Sequence, residues 1–175
     1  QFSAFTSPMG EVIMDVKSQK GDNWAMVMKM GGREMNKQVY KDGKGTVSGM
    51  GQSQELSGDM LEAVKAEAMF LPELYHADKA QLDGAERLGD HNVYVIKWNN
   101  FKKSFYDTES GLLVGTETTS MTPQGETKVV TRYSEFKEYS GVKFPTTMVI
   151  PMMGRELIFE LKDLKVNPGL TDSDF

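Results

Sequence analysis

The sequence predicts a mainly β protein, an antiparallel sheet or open barrel with one helix as its plug or lid. Three observations lead there. Turn residues recur roughly every 8–14 positions, a rhythm typical of all-β folds. Between the turns, apolar and polar residues alternate with the period of a strand. Only one stretch, residues 57–74, carries apolar residues at helical spacing.

The first strand is expected over residues 9–19. Val12, Met14 and Val16 alternate there with Glu11, Asp15 and Lys17, as in a strand with one buried face. Lys20-Gly21-Asp22-Asn23 is a turn. Residues 23–30 then place Trp24, Met26, Met28 and Met30 on one face and Ala25, Val27 and Lys29 on the other. A slip of one residue would turn this apolar face into water, so its pairing is strongly specified. After Gly31-Gly32, residues 33–41 form a more polar strand with Met35, Val39 and Tyr40 as its apolar members. Asp42-Gly43 is a two-residue hairpin signal, since both turn positions need positive φ. Residues 44–50 are a glycine-interrupted strand, and residues 51–56 lead into the helix. Strands joined by such short turns form an antiparallel meander.

The helical stretch is SGDMLEAVKAEAMFLPEL, residues 57–74. Ser57 suits the N-cap and Asp59 suits the positive end of the helix dipole. Leu61, Val64, Ala68 and Leu71 form one apolar stripe. Pro72 stops the helix, because the residue before a proline resists helical geometry. The pattern allows two roles: a plug or lid on a curved sheet, or a cover on one sheet face.

In the second half, residues 74–78 are expected to be extended, and residues 83–88 to be a turn and a strand start. Residues 91–98 are apolar on both faces, Val93 and Val95 against Tyr94, Ile96 and Trp98, which suggests a central strand. Asn99-Asn100 turns, residues 102–106 return, and residues 107–111 connect tightly into residues 112–122. Residues 122–125 turn into residues 126–139, and residues 140–143 turn again. Residues 144–152 align Phe144, Thr146, Met148, Ile150 and Met152 on one face, and Pro145 and Pro151 suggest a sheet edge or a bulge. After Gly154-Arg155, residues 156–166 align Leu157, Phe159 and Leu161, and residues 167–175 form a polar tail ending on an aromatic.

Composition narrows the function. At 175 residues one domain with a sizeable core is expected. A net charge of −5 argues against a nucleic-acid partner. With zero cysteines there is no disulfide, thiolate metal site or cysteine nucleophile. No apolar run of about 18 residues is present, so no transmembrane segment is expected. Residues 1–8 lack the basic start and apolar stretch of a signal peptide. His76 and His91 are not spaced as a zinc pair, and no nucleophile elbow or phosphate loop occurs. Asp107 and Glu109 read as turn chemistry rather than a catalytic pair. The expectation is therefore no catalysis, no metal and no cofactor.

What remains is apolar surface. The thirteen methionines are flexible and polarizable, suited either to an irregular core or to a surface that accepts varied apolar partners. The candidate ligand-binding residues are Trp24, Met26, Met28, Met30, Leu61, Val64, Met148 and Ile150. If the helix fills the concavity they are core. If a gap remains they line an apolar cavity suited to acyl chains.

Several segments together resemble a known family. They are DGKGTVSGMGQSQELS, MFLPELYH, SFYDTESGLLVGTET, TRYSEFKEYSGVKFPTTMVIP and KDLKVNPGLTDSDF, spanning residues 42–175. They look like the outer-membrane lipoprotein-sorting domains of the periplasmic lipoprotein carrier (LolA/LolB-like) superfamily, frequent in Bacteroidetes-type Gram-negative bacteria. Similar segments close some insulinase-like zinc peptidases as a non-catalytic C-terminal domain. The resemblance implies a strongly curved antiparallel sheet, an incomplete barrel, with helices as a lid over an apolar cavity. It also implies a lipid or lipoprotein acyl chain as partner, a possible envelope protein partner, and a periplasmic or outer-membrane-associated location. Any zinc-peptidase module would lie outside this segment. Such domains usually begin with a further helix and strand, for which about eight residues are present here, so the expectation is either a fragment of a longer chain truncated at its N-terminus or loss of the first helix. The carriers' basic lid residue has no assignable counterpart.

Overall fold

The computed structural model describes residues 2–6, 10–49, 51–69, 71–122, 125–152 and 154–175. Met9, Met50 and the Pro123-Gln124 turn, which the sequence reading assigned, lie outside the described residues.

The first half is a meander: β1 Phe2–Thr6, β2 Gly10–Gln19, β3 Asn23–Met30, β4 Arg33–Lys41, β5 Lys44–Gly49 and β6 Gln52–Leu56. The second half is another: β7 Gln81–Leu88, β8 His91–Lys97, β9 Lys102–Asp107, β10 Leu113–Thr122, β11 Gly125–Tyr139, β12 Val142–Met152 and β13 Arg155–Leu161. Between them run helix α1 Gly58–Glu67, the short helix α2 Pro72–Tyr75 and a 3-10 turn, Ala77–Lys79. The expected hairpin at Asp42-Gly43 is present, with both residues at positive φ (49° and 80°).

All neighbouring strands pair antiparallel in one ladder, in the order β6-β5-β4-β3-β2-β1-β13-β12-β11-β10-β9-β8-β7. The two meanders join at the β1–β13 seam, and the free edges β6 and β7 are consecutive in sequence, linked by the helical segment. Helix α1 packs on β4 and β5 and also on β10. From β4 to β10 is seven strand spacings, about 34 Å in a flat sheet. A helix is only about 10–12 Å across. One helix touches both arms because the sheet rolls up around it. The result is a curved, unclosed sheet with α1 inside, as expected.

Several local expectations change. Residues 2–6 and 52–56 are strands that the sequence reading did not assign. Residues 74–78 are not extended: Pro72 opens α2, since proline at a first helical position lacks an N–H that would be unbonded anyway. Ser57 occupies the N-cap without a side-chain capping bond. Strand β8 lies next to the edge strand β7 rather than centrally, and Tyr94 is exposed. Pro145 and Pro151 do not mark an edge, because β12 lies between β11 and β13. Next to the Phe136–Pro145 pair, Glu135 has φ 54° and its carbonyl accepts a bond from the Thr146 hydroxyl.

Candidate functional site

Residues opposed across an antiparallel ladder share a face. The register places Trp24, Met26, Met28 and Met30 of β3 opposite Ser18, Val16, Met14 and Val12 of β2. Across the seam, Met148 and Ile150 of β12 oppose Phe159 and Leu157 of β13. Val12, Met14, Met148 and Phe159 form one buried cluster, with Met26, Met28, Met30, Tyr133, Ile150 and Leu157 packed around it and only partly buried. A second cluster holds Trp24, Tyr40, Leu56, Val64 and Ala68, flanked by Met26, Val47, Met60 and Leu61.

All eight sequence-derived candidates fall into these two clusters, which share Met26. They divide by the helix. Val64 and Leu61 reach β3, β4 and β6 through Trp24, Tyr40 and Leu56, so α1 plugs that part of the hollow. The cluster at the seam includes no α1 residue. There the partly buried methionines of β3 face Met148 and Ile150 across the sheet.

The inner face turns polar toward β9 and β10, which the sequence reading missed. Ser104, Thr116 and Thr131 are opposed in register and all buried. Tyr133 hydroxyl and Thr116 Oγ1 are hydrogen-bonded at 3.0 Å. Burial pushes the Tyr133 phenol pKa up to about 12, so it stays protonated. Trp98 Nε1 donates to Ser104 Oγ at 2.9 Å. The threonine-rich run of β10 was the available signal. The inner face therefore carries thioethers on one side and hydroxyls on the other. The opposite face of this half carries its own buried cluster, Val93, Val95, Phe105 and Val114.

Polar contacts tie the helical segment to both arms. Lys79 donates to His76 Nδ1 at 3.3 Å, and His76 Nε2 donates to Asp22 Oδ1 at 3.0 Å, on the β2–β3 turn. On the other arm the Tyr106 hydroxyl of β9 donates to Glu73. Burial, with the Glu73 carboxylate beside it, raises the Tyr106 pKa and keeps it a donor. Lys102 is partly buried nearby; burial lowers its pKa, opposed by Glu67, Glu73 and Asp22. His76 is the C-cap residue of α2 and, through Asp22, joins it to the first arm.

His91, Asp107 and Ser110 meet at a cleft of about 420 Å³. Asp107 Oδ2 is 2.9 Å from His91 Nδ1, while Oδ1 accepts from Ser110 Oγ at 2.7 Å and Ser110 N at 2.8 Å. The carboxylate stands between hydroxyl and imidazole, so the imidazole does not face the hydroxyl it would have to deprotonate. The arrangement does turn chemistry, as the sequence suggested. The Ser110 bonds, then the His91 contact, hold the Asp107 pKa well below the usual carboxylate range. A lowered pKa stabilises the fold above the ordinary aspartate value, near 3.9, and that contribution disappears as pH falls further. Asp107→Asn should therefore lower Tm at pH 7, and the gap to wild type should close on acidification below about pH 4. A gap unchanged down to pH 2 would remove the ionised carboxylate from the explanation.

Among the described residues no group of three or more His, Asp or Glu is placed to hold a metal ion, and no helix is long and apolar enough to cross a membrane. No family model and no curated protein matches the chain. Two solved structures are similar. One is a DUF1329 family protein from Desulfovibrio piger, with TM-score 0.52, 13% identity, and coverage of 98% of this chain and 85% of that one. The other is a LolA superfamily protein from Nitrosomonas europaea, with TM-score 0.50, 15% identity, and coverage of 94% and 84%. At that identity the likeness concerns backbone architecture: the chain has a LolA-like fold, a curved, unclosed antiparallel sheet around a helix.

Proposed function

We propose that residues 1–175 form one LolA-like β domain that binds a lipid or lipoprotein acyl chain without catalysis, in carriage or sorting within the Gram-negative envelope. The observation that carries this is the seam cluster: methionines on a concave face, partly buried, with no α1 residue among the described members of the cluster. Thioethers adapt to an apolar chain of variable shape. Each methylene transferred from water contributes about 0.8 kcal/mol, so a long chain needs no polar anchor to bind. The LolA-like fold supports the same reading. The ligand would lie along Met26, Met28, Met30, Met148 and Ile150, with Trp24, Leu61 and Val64 forming the plugged end.

The experiment is native mass spectrometry of gently purified protein, paired with displacement of a fluorescent apolar probe by fatty acids. Co-purified lipid and saturable displacement are expected. Met28→Gln should weaken uptake about tenfold, because it sets an amide against the chain. Unchanged binding at unchanged Tm would count against the hollow as the site.

A second reading is a ligand-free interaction domain of a larger, peptidase-type envelope protein. The cluster under α1 favours it, since there the hollow is filled by the protein's own Trp24, Tyr40 and Val64. A clean apo mass with no probe binding is its expected result.

A further inference from the structure

Asn36 lies in β4 directly opposite Met28, so it belongs to the same inner face as the methionine row. Its Oδ1 is buried and accepts no hydrogen bond among the described residues. A buried acceptor left without a donor is destabilising, and an apolar side chain of similar size would avoid the cost.

The local backbone is also irregular. Met28 opposes Asn36, but the next residue, Lys29, opposes Glu34, so Met35 is an extra residue bulged out of the ladder. Gly49 on β5 accommodates it: a Cβ there would stand 2.8 Å from the Met35 carbonyl oxygen. A bulge re-aims the side chain beside it, and bulges are over-represented next to binding and active sites. Here the re-aimed side chain is a polar one set among methionines.

We propose that Asn36 Oδ1 receives the polar end of the bound acyl compound, and that this end carries a hydrogen-bond donor, an amide N–H or a hydroxyl. This rests on acyl-chain binding as argued above and adds a head-group class to it. The apolar chain runs along Met26, Met28 and Met30, and the flexible thioether of Met28 swings aside to admit the donor. Fully esterified lipids and tertiary amides, which accept but do not donate, are selected against because Asn36 stays unpaired beside them.

The test uses two matched pairs of probes against the whole chain: N-methylhexadecanamide with N,N-dimethylhexadecanamide, and 1-hexadecanol with its methyl ether. Wild type should bind the donor of at least one pair about five- to tenfold more tightly. The pair that discriminates names the donor as amide or hydroxyl. Asn36→Leu should bind both members equally, at the weaker wild-type affinity, with Tm unchanged or raised. Equal affinities in wild type overturn the proposal, and so does a preference that survives in Asn36→Leu. If that variant does not fold, the wild-type preference, read with Asn36→Ala, decides. If none of the four probes binds, acyl-chain binding itself fails and takes this inference with it. Binding without discrimination removes the inference alone.

Discussion

Phe159→Ala should destabilise the protein by about 3–5 kcal/mol, a large share of the roughly 5–15 kcal/mol that holds most domains folded. Phe159 is 0% exposed and lies on β13, one of the two seam strands. Its cluster partners Val12 and Met14 stand on β2, on the far side of β1, and Met148 stands opposite it on β12. The ring therefore packs the two meanders against each other. Removing it leaves a cavity that strands fixed by ladder bonds on both sides collapse into only partly. Ile158→Ala is the control: its neighbour in sequence points to the other face, is 58% exposed, and should cost about 0.5 kcal/mol or less. Chemical denaturation measures both. A Phe159→Ala cost below about 1 kcal/mol would mean that the seam cluster does not unite the halves.

Trp24→Ala should cost a similar 3–5 kcal/mol but spend it elsewhere. Trp24 pairs with Tyr40 and packs on Leu56, Val64 and Ala68, so its indole is the floor beneath α1. An isolated ten-residue helix is marginal in water, and α1 depends on this tertiary contact. Amide exchange should therefore rise most in Gly58–Glu67, with β12 and β13 still protected. Uniform exchange across the chain would show that α1 opens only with the whole fold. If α1 controls entry to the hollow, the same variant should load an acyl probe faster than wild type.

The sheet was legible because its signals are local. The period-2 pattern in Val12–Met14–Val16 and Trp24–Met30 fixes faces, and Asp42-Gly43 fixes a turn, without reference to anything distant. The eight candidate residues stand out as apolar by strand or helical periodicity, and all eight fall into two packed clusters. The seam was not legible, because pairing Phe2 with Leu161 depends on the rolled shape of the whole sheet. Strand β6, QSQEL, was missed because an edge strand with four exposed residues needs no apolar alternation. Leu71 and Pro72 misled for a subtler reason: α1 already ends at Glu67, and Pro72, whose fixed φ suits a first helical position, only begins α2. Asn36 gave no signal at all, since an orphan acceptor is defined by what surrounds it.

Every ladder in this sheet but one joins strands adjacent along the chain. Those hairpins close over short loops and form early. The exception brings Phe2 to Leu161, almost the full length of the polypeptide, and its closure entropy is borne in one step. Folding should thus proceed as two quick local condensations followed by one slow encounter. During that interval β1 and β13 each present an unpaired flank, and the chain is most exposed to association with its own copies.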